Sequence, residues 1–560
     1  MDPLVQKKSS VVMKVAEAVG KALAGAGVGH IFGVVGSGNF RVTNAMVGEG
    51  VPFTASRHES GAAMMADAYT RMSGRTAVLS VHQGPGFTNA LTGITEATKS
   101  HTPMLVLAPH APDSLKASNF WVDQAAMAQG AGCVVEHSRG TVSAVDDALR
   151  ALARARQERC TVVLIMPNEI QEDEFHGELG VAAADAPSIA SGTSSEQVSQ
   201  LVTLLAASRR PVFIAGRGGL GAREELVALA ESCGALLATS AVARGLFSGE
   251  AWNLDVSGGF ATPAATSLIA EADLLVAWGA SLNRWTTSNG ALLEGPKTVV
   301  QIDDRSAALG LHYPVDVGIV ADVSKTARQV QAALASAEQC DRYRTPEVAR
   351  RIEEAGDWRT VEYEETTSAD RIDPRTLTIG LDEVLPMERV VVPDGGNFNG
   401  YPAMYFRVPD QHGYCLPLAF ASIGLGLSTA IGVATAIPDR TVIAGVGDGG
   451  FLMSLVELDT AVRLGLKLVV VVYNDDAYGA EVHHFGPEGV PLDIVQFPPT
   501  DIAKIARGFG CDALTVKEPA DIGKVQEWLT GPQDRPLVID AKVTSFLSWV
   551  SKHAFAGPGF

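Results

Sequence analysis

The stretch Thr441-Val-Ile-Ala-Gly-Val-Gly447-Asp448-Gly449-Gly450-Phe451 reads as a buried strand that ends in a glycine turn and opens a helix from Leu452. Glycines at such a turn let backbone N–H groups approach an anion, and a helix N-terminus favours negative charge. Asp448 stands at the carboxyl end of the strand, where open α/β sheets place their ligands. After one helix and one very apolar strand comes Asn474-Asp475-Asp476-Ala477-Tyr478-Gly479, with Asp475 twenty-seven positions beyond Asp448. A right-handed β-α-β crossover returns its second strand parallel to the first, so both aspartates should emerge at one edge of the sheet. Mg²⁺ prefers six oxygens and commonly takes only a few from protein, which suits a metal-bridged diphosphate. Taken singly, Asp448 is equally well a helix cap and 474–476 a turn. Their joint spacing favours the metal.

Outward from this stretch the chain alternates strands and helices. Residues 30–35, 76–82, 104–110 and 161–167 read as strands, and 12–24 and 59–72 as helices. A second run has strands at 211–215, 274–278 and 298–302; a third has elements at 389–395, 423–437, 441–448, 452–464, 467–474 and 536–543, echoing the first in order. Such alternation argues parallel sheets covered on both faces. The expected fold is α/β, with three doubly wound parallel-sheet domains at 10–180, 195–340 and 372–545, a crossing linker at 180–197 and a tail at 546–560. In the second run, Gly216-Arg-Gly218-Gly-Leu-Gly221 follows a strand and precedes a helix, but no acidic residue ends a second strand about twenty positions on. Nucleotide binding and tight helix-strand packing both fit it.

The 560 residues exceed what one core sustains, and 46% hydrophobic with 57 glycines suits an α/β protein rich in tight turns. A formal net charge of −19 disfavours nucleic acid and anionic membranes as partners. No apolar run reads as a signal peptide or a bilayer span, so the expected location is cytoplasmic. The six cysteines lie far apart without a Cys-x-x-Cys pair, which reads as reduced thiols rather than a disulfide or zinc framework.

The first domain offers Arg57-His58-Glu59-Ser-Gly61-Ala62-Ala63, followed by Gly84-Pro85-Gly86-Phe-Thr-Asn89-Ala. Together with Gly447-Asp448-Gly449 and Asn474-Asp475, these motifs resemble those of thiamine diphosphate enzymes of the acetolactate synthase, pyruvate decarboxylase and benzoylformate decarboxylase group, over roughly residues 10 to 545. The resemblance implies that Glu59 hydrogen-bonds a ring nitrogen of the aminopyrimidine and promotes its imino tautomer. It also implies that Asp448, Asp475 and the Ala477 carbonyl hold Mg²⁺, while Gly449 and Gly450 face the diphosphate. Asp475 stands where the family usually has a second Asn, which adds negative charge near the diphosphate. Asp394-Gly395-Gly396-Asn397-Phe398-Asn399 matches the diphosphate loop, with Asn397 and Asn399 reaching phosphate oxygens. Ile423 falls where relatives place an apolar wedge under the bent cofactor, leaving the Ala421 carbonyl for the pyrimidine amino group. The family also implies a homodimer or homotetramer, and leaves FAD, ADP or nothing in the central domain.

Substrate motifs are mixed. Ser37 and His82 match an active-site serine and histidine of benzoylformate decarboxylase, yet the second histidine of that enzyme falls on Thr286. Glu481 resembles the glutamate that pyruvate and indolepyruvate decarboxylases place after the metal loop, a proton donor for aldehyde release. Acetohydroxyacid synthases usually carry Phe-Gln-Glu and Gly-Met-Val-x-x-Trp elements, where this chain has Phe120-Trp121-Val122 and Gly479-Ala-Glu-Val-His-His484. The expected function is carbon–carbon bond cleavage or formation on a 2-oxo acid or acyl substrate, by decarboxylation, carboligation or both. A 2-hydroxyacyl-CoA lyase, a catalytically silent regulatory relative and an NAD(P)-dependent dehydrogenase using the Gly216 loop are the alternatives. Glu59 argues against the silent relative, and the aspartate spacing against the dehydrogenase. The tail, with Trp549 and His553, reads as a lid or a frayed end.

Overall fold

The computed structural model describes residues 13–179, 192–334 and 342–548, and within them three sheets are built wholly of parallel pairs. The first contains β1 (His30–Gly33), β2 (Phe53–Ala55), β3 (Ala77–Ser80), β4 (Met104–His110), β5 (Val134–His137) and β6 (Thr161–Pro167), in the order β2-β1-β3-β4-β6-β5. The second contains β7 (Pro211–Ala215), β8 (Leu236–Thr239), β9 (Asn253–Val256), β10 (Leu274–Trp278), β11 (Thr298–Asp303) and β12 (Val317–Val320), in the order β12-β11-β10-β7-β8-β9. The third contains β13 (Arg389–Pro393), β14 (Thr441–Gly447), β15 (Leu468–Asn474), β16 (Asp512–Val516) and β17 (Leu537–Lys542), in the order β13-β14-β15-β17-β16. Without its edge strand β2, the first sheet has the same winding as the third, including the inverted last pair. The expected α/β fold with three doubly wound sheets is what the chain adopts.

The central strands are apolar along their whole length because both faces are covered. Every residue of β14 and β15 is buried, as is every residue of β7 and β10. Shorter edge strands such as β2, β9, β12 and β16 escaped the sequence reading, since few apolar residues mark them. The helix expected over 452–464 starts earlier and is broken: Asp448–Ser454, a turn at Leu455–Glu457, then Leu458–Arg463. At the break the buried Glu457 accepts the N–H groups of Arg57 at 3.1 Å and His58 at 2.9 Å, a demand that no local pattern reveals.

The described residues form two compact units. One takes the chain through residue 179 together with 417–437 and 454–464; the other takes 192–334, 342–416, 438–453 and 465–548. In the first unit the Gly426–Ala436 helix lies on the Glu59–Ser73 helix, crossing closely at Gly432. Most of the expected linker at 180–197, the tail beyond 548 with Trp549 and His553, and Cys340 lie outside the described residues.

A β-carbon on Gly432 would stand 2.4 Å from the Met65 carbonyl oxygen and 2.7 Å from its Cα, both backbone atoms that cannot swing aside. Gly432→Ala is therefore expected to cost about 1–3 kcal/mol through overpacking, read as a lower midpoint in thermal or urea unfolding. An unchanged midpoint would mean that the two helices do not cross at this residue.

Candidate functional site

β14 and β15 are neighbours whose register sets Gly447 against Tyr473, so Asp448 and Asn474 leave the sheet at the same edge, one strand apart. Burial pushes the Asp448 carboxyl up to about 7, with the Asp475 carboxylate adding to the push. Burial also raises Asp475 to about 6, against backbone hydrogen bonds from its own and Ala477's N–H and the charge of Arg371. Two neighbouring buried acids that resist ionisation are short of positive charge. The loop around them is fixed. Arg371 Nη2 pairs with Asp476 Oδ2 at 2.6 Å, and its Nη1 donates to the Asn474 carbonyl at 3.2 Å and the Val543 carbonyl at 3.0 Å. Asn474 is turned into the scaffold, donating to buried Asp540 at 2.9 Å. Phe497 N donates to the Asp476 carbonyl at 2.8 Å and Tyr478 N to the Val495 carbonyl at 2.9 Å, which clamps the other side.

Glycines set the spacing here. A β-carbon on Gly479 would lie 2.5 Å from Asp475 Oδ2 and 3.5 Å from Asn397 Cβ, and one on Gly449 would lie 2.4 Å from the Tyr478 ring. Asp448, Gly449, Asp475, Gly479 and Asn397 thus come together in this unit, with Gly450 next on the turn. The two asparagines of the Asp394 loop are engaged by the protein: Asn397 Nδ2 donates to the Phe546 carbonyl at 2.8 Å and its Oδ1 accepts from Ser548 N at 3.1 Å. Asn399 Nδ2 donates to the Asp394 carbonyl at 2.6 Å. Glu481 is exposed on the short Gly479–Phe485 helix that follows. Among the described residues, no group of three or more His, Cys, Asp or Glu is placed to hold a metal. Two carboxylates and a backbone carbonyl fall below that number, so they fit a metal whose remaining oxygens come from phosphate and water.

In the other unit, β1 and β3 are neighbours with Gly33 opposite Ser80, and the loops after them bring Ser37 Oγ to 3.3 Å from His82 Nε2. Gly36 makes the room, since a β-carbon there would fall 2.3 Å from His82 Cδ2. Buried Asn39 ties the first loop, accepting from Gly36 N at 2.8 Å and donating to Ser80 Oγ at 3.0 Å. Buried Gln124 ties the second, accepting from Gly84 N at 2.9 Å and donating to the Pro109 carbonyl at 3.0 Å. His82 Nδ1 lies 2.9 Å from the Gln83 carbonyl, which only accepts; Nδ1 therefore carries a proton and Nε2 faces Ser37. Glu59 opens the Glu59–Ser73 helix, and its Oε2 accepts from Asn89 Nδ2 at 3.1 Å. A β-carbon on Gly86 would sit 3.0 Å from His82 Cβ and 3.4 Å from Glu59 Oε1, so both side chains flank one glycine. Ser37, His82 and Glu59 are brought together. Ala421, at φ +59, and half-buried Ile423 lie in the loop before the Gly426–Ala436 helix.

Asn39, Gln124, Arg371 and Glu457 were not singled out from sequence, and Asn89 was read only as part of its motif. Each looks like any other polar residue in the sequence, and its hydrogen bonds reveal its task. At the central glycine run, Gly216 N donates to the Trp278 carbonyl at 2.9 Å, Gly218 N to the Gly279 carbonyl at 3.1 Å and Gly219 N to the Gly216 carbonyl at 2.9 Å. A β-carbon on Gly218 would lie 2.9 Å from Gly279 Cα and one on Gly219 3.0 Å from the Trp278 carbonyl oxygen, so close backbone packing accounts for these glycines but not for Gly221, where a β-carbon would meet nothing within 4 Å. Cys133, Cys160, Cys233, Cys415 and Cys511 are free thiols, and no helix among the described residues is long and apolar enough to cross a membrane.

Three family models match the chain: the thiamine pyrophosphate enzyme N-terminal TPP binding domain over residues 13–131, the central domain over 198–330 and the C-terminal TPP binding domain over 394–541. Sulfoacetaldehyde acetyltransferase of Alcaligenes xylosoxydans xylosoxydans is 29% identical over 539 residues, which cover 89% of this chain and 87% of the relative. The probable 2-ketoarginine decarboxylase of Pseudomonas aeruginosa is 29% identical over 534 residues, covering 91% and 90%. Acetolactate synthase of Bacillus subtilis is 26% identical over 557 residues, covering 96% and 94%. The thiamine diphosphate-dependent 4-hydroxybenzoylformate decarboxylase of Rhodococcus jostii shares the fold, with a TM-score of 0.81 at 20% identity over 95% of this chain and 100% of that one. The chain belongs to the thiamine pyrophosphate enzyme family and is a thiamine diphosphate-dependent enzyme.

Proposed function

We propose that this enzyme uses thiamine diphosphate with Mg²⁺ to cleave or form the carbon–carbon bond beside the carbonyl of a 2-oxo acid, by non-oxidative decarboxylation, carboligation or both. The observation that carries this reading is the Ser37–His82 pair at 3.3 Å, whose His82 flanks the same glycine as Glu59. When bound, thiamine diphosphate supplies the nucleophilic carbon and the electron sink that such chemistry needs. Glu59 would hydrogen-bond the pyrimidine ring, held by Asn89. Ser37 would bind the substrate carboxylate, and His82 would move a proton through Nε2, its ring oriented by the Gln83 carbonyl. Glu481 would stand as a second proton donor. The Ala421 carbonyl would accept the pyrimidine amino group above the Ile423 side chain. Relatives named as a decarboxylase, an acetolactate synthase and an acetyltransferase support the reaction class without choosing among its members.

At the other end, Asp448, Asp475 and the Ala477 carbonyl would hold Mg²⁺, with Gly449 and Gly450 facing the diphosphate. Asn397 and Asn399 would have to exchange their present backbone partners to reach a phosphate. We assign the protein a homodimeric or homotetrameric state on the same family reading, and propose a cytoplasmic setting from its sequence. Neither FAD nor ADP enters the proposed mechanism.

Glu59→Gln is expected to bind thiamine diphosphate much as the wild type does while losing most turnover; equal turnover by both proteins would remove Glu59 from the mechanism. His82→Ala is expected to lower kcat roughly 10²–10⁴-fold, measured as CO₂ and aldehyde release from a panel of 2-oxo acids, with hydroxyacyl-CoA thioesters tested alongside. Release from the thioesters alone would assign a lyase instead.

The carboxylate pair gives a pH signature. A folded-state pKa of about 7 against an ordinary 3.8 means that the cofactor-free fold holds a proton its unfolded chain releases, so Asp448 erodes stability as pH rises through that window. Cofactor-free Asp448→Asn should therefore be more stable than the wild type at about pH 8, with the gap narrowing towards about pH 5. Mg²⁺-dependent cofactor binding by the wild type should strengthen over the same rise. A gap that widens at low pH would contradict the burial of this carboxylate.

A further inference from the structure

The loop that carries Ala421 and Ile423 holds a backbone conformation its own sequence does not favour. Ala421 sits at φ +59, a left-handed region that a β-carbon opposes and that persists only when the surroundings enforce it. Phe420, 43% exposed, and the exposed Ala421 give the loop little apolar anchorage there. Against this loop stands Glu96, fully buried near the end of the Pro85–Lys99 helix. Its Oε1 accepts from Ala419 N at 2.9 Å and its Oε2 from Phe420 N at 2.6 Å, with Ser100 Oγ a further donor to Oε1 at 3.3 Å. Burial pushes the Glu96 carboxyl up and Asp67 adds to this, while the two loop N–H groups pull it down. Carboxylate and loop therefore stabilise one another.

We propose that Glu96 is a positioning residue: by gripping the N–H groups of Ala419 and Phe420 it holds the left-handed turn at Ala421 and aims the Ala421 carbonyl at the amino group of the cofactor's pyrimidine. This rests on the reading of Ala421 given above. Glu96 touches no reacting atom. A carboxylate is needed because two N–H donors diverge onto two oxygens; an amide offers one oxygen and turns its own NH₂ against the second donor. The same helix carries Asn89, seven residues earlier and about 10 Å away along the axis, which holds Glu59. One rigid helix thus supports both pyrimidine-facing groups of its chain.

The test uses the full-length protein with Mg²⁺ and two probes, thiamine diphosphate and oxythiamine diphosphate, which lacks the pyrimidine amino group. Glu96→Gln is expected to weaken binding of thiamine diphosphate by about tenfold, and of the oxo analogue by about twofold or less, in calorimetric titration. Amide exchange at Ala419 and Phe420 should speed up in the cofactor-free variant. Glycine accepts φ +59 without a brace, so adding Glu96→Gln to Ala421→Gly should cost less affinity than Glu96→Gln alone. Should Glu96→Gln not fold, Glu96→Asp, shorter by one methylene, is expected to show the same cofactor-selective loss. Unchanged affinity in the variant, or equal loss for both probes, overturns the proposal. A wild type that binds both probes equally well instead sinks the assignment of the Ala421 carbonyl, and the proposal with it.

Discussion

A carboxylate taken out of water must be met by N–H donors or by positive charge, and in this chain that demand fixes the loops that matter. Burial alone would raise the Asp373 carboxyl, but Arg375 and Thr366 bring it below its ordinary value. Asp382, with no exposed surface, gathers Arg389, Arg407 and Arg359 around the start of β13. Asp540 on β17 receives Asn474 and Ile502 N, tying the end of β15 to the segment beyond it. Glu457 and Glu96 hold the loops in front of Glu59 and Ala421. Asp448 has the N–H groups of Gly449 and of its own residue, yet the charged side chains that act on it are other carboxylates, Asp475 and Asp476. That surplus of negative charge is what the proposed Mg²⁺ would meet.

Glycine supplies the complementary constraint. At Gly33 a β-carbon would stand 2.2 Å from the Ser80 carbonyl oxygen; at Gly36, Gly86, Gly449 and Gly479 it would run into His82, Glu59 or His82, Tyr478 and Asp475 respectively. At all of these but Gly33 the neighbour is a side chain held close against another backbone. Parallel strands deliver such loops to one edge of each sheet, and the glycines let them close on each other. Positional precision at the site is therefore a property of backbone contact, with side chains filling what the glycines leave.

This division explains what sequence could reveal. The strands β4, β6, β7 and β10 have the bounds that their apolar runs indicate, and the Asp448–Asp475 juxtaposition follows from strand, crossover and strand alone. The broken helix after Asp448 and the edge strands β2, β9, β12 and β16 were not legible, because they are set by partners hundreds of residues away or by short stretches with little patterning. Local reading likewise named Glu59 and His82, and Asn89 only within its motif, but not Gln124 or Glu96. A motif marks groups that meet a ligand, whereas a group that holds another group looks like any polar residue in a helix. Asn397 shows the converse, since its motif suggests phosphate while its amide is engaged by Phe546 and Ser548.

Asp475 is where the two lines of reasoning meet. Relatives resembling this chain usually carry an asparagine there, which would need no counter-charge. Here the next residue, Asp476, already takes up Arg371 at 2.6 Å, and its charge works against ionising Asp475. The loop therefore holds two carboxylates with one arginine bonded to only the second of them. On the metal reading, the extra negative charge makes the empty loop harder to ionise and the loaded loop hold its cation more strongly. A single departure from the family pattern would then favour the metal-bound loop over the resting one.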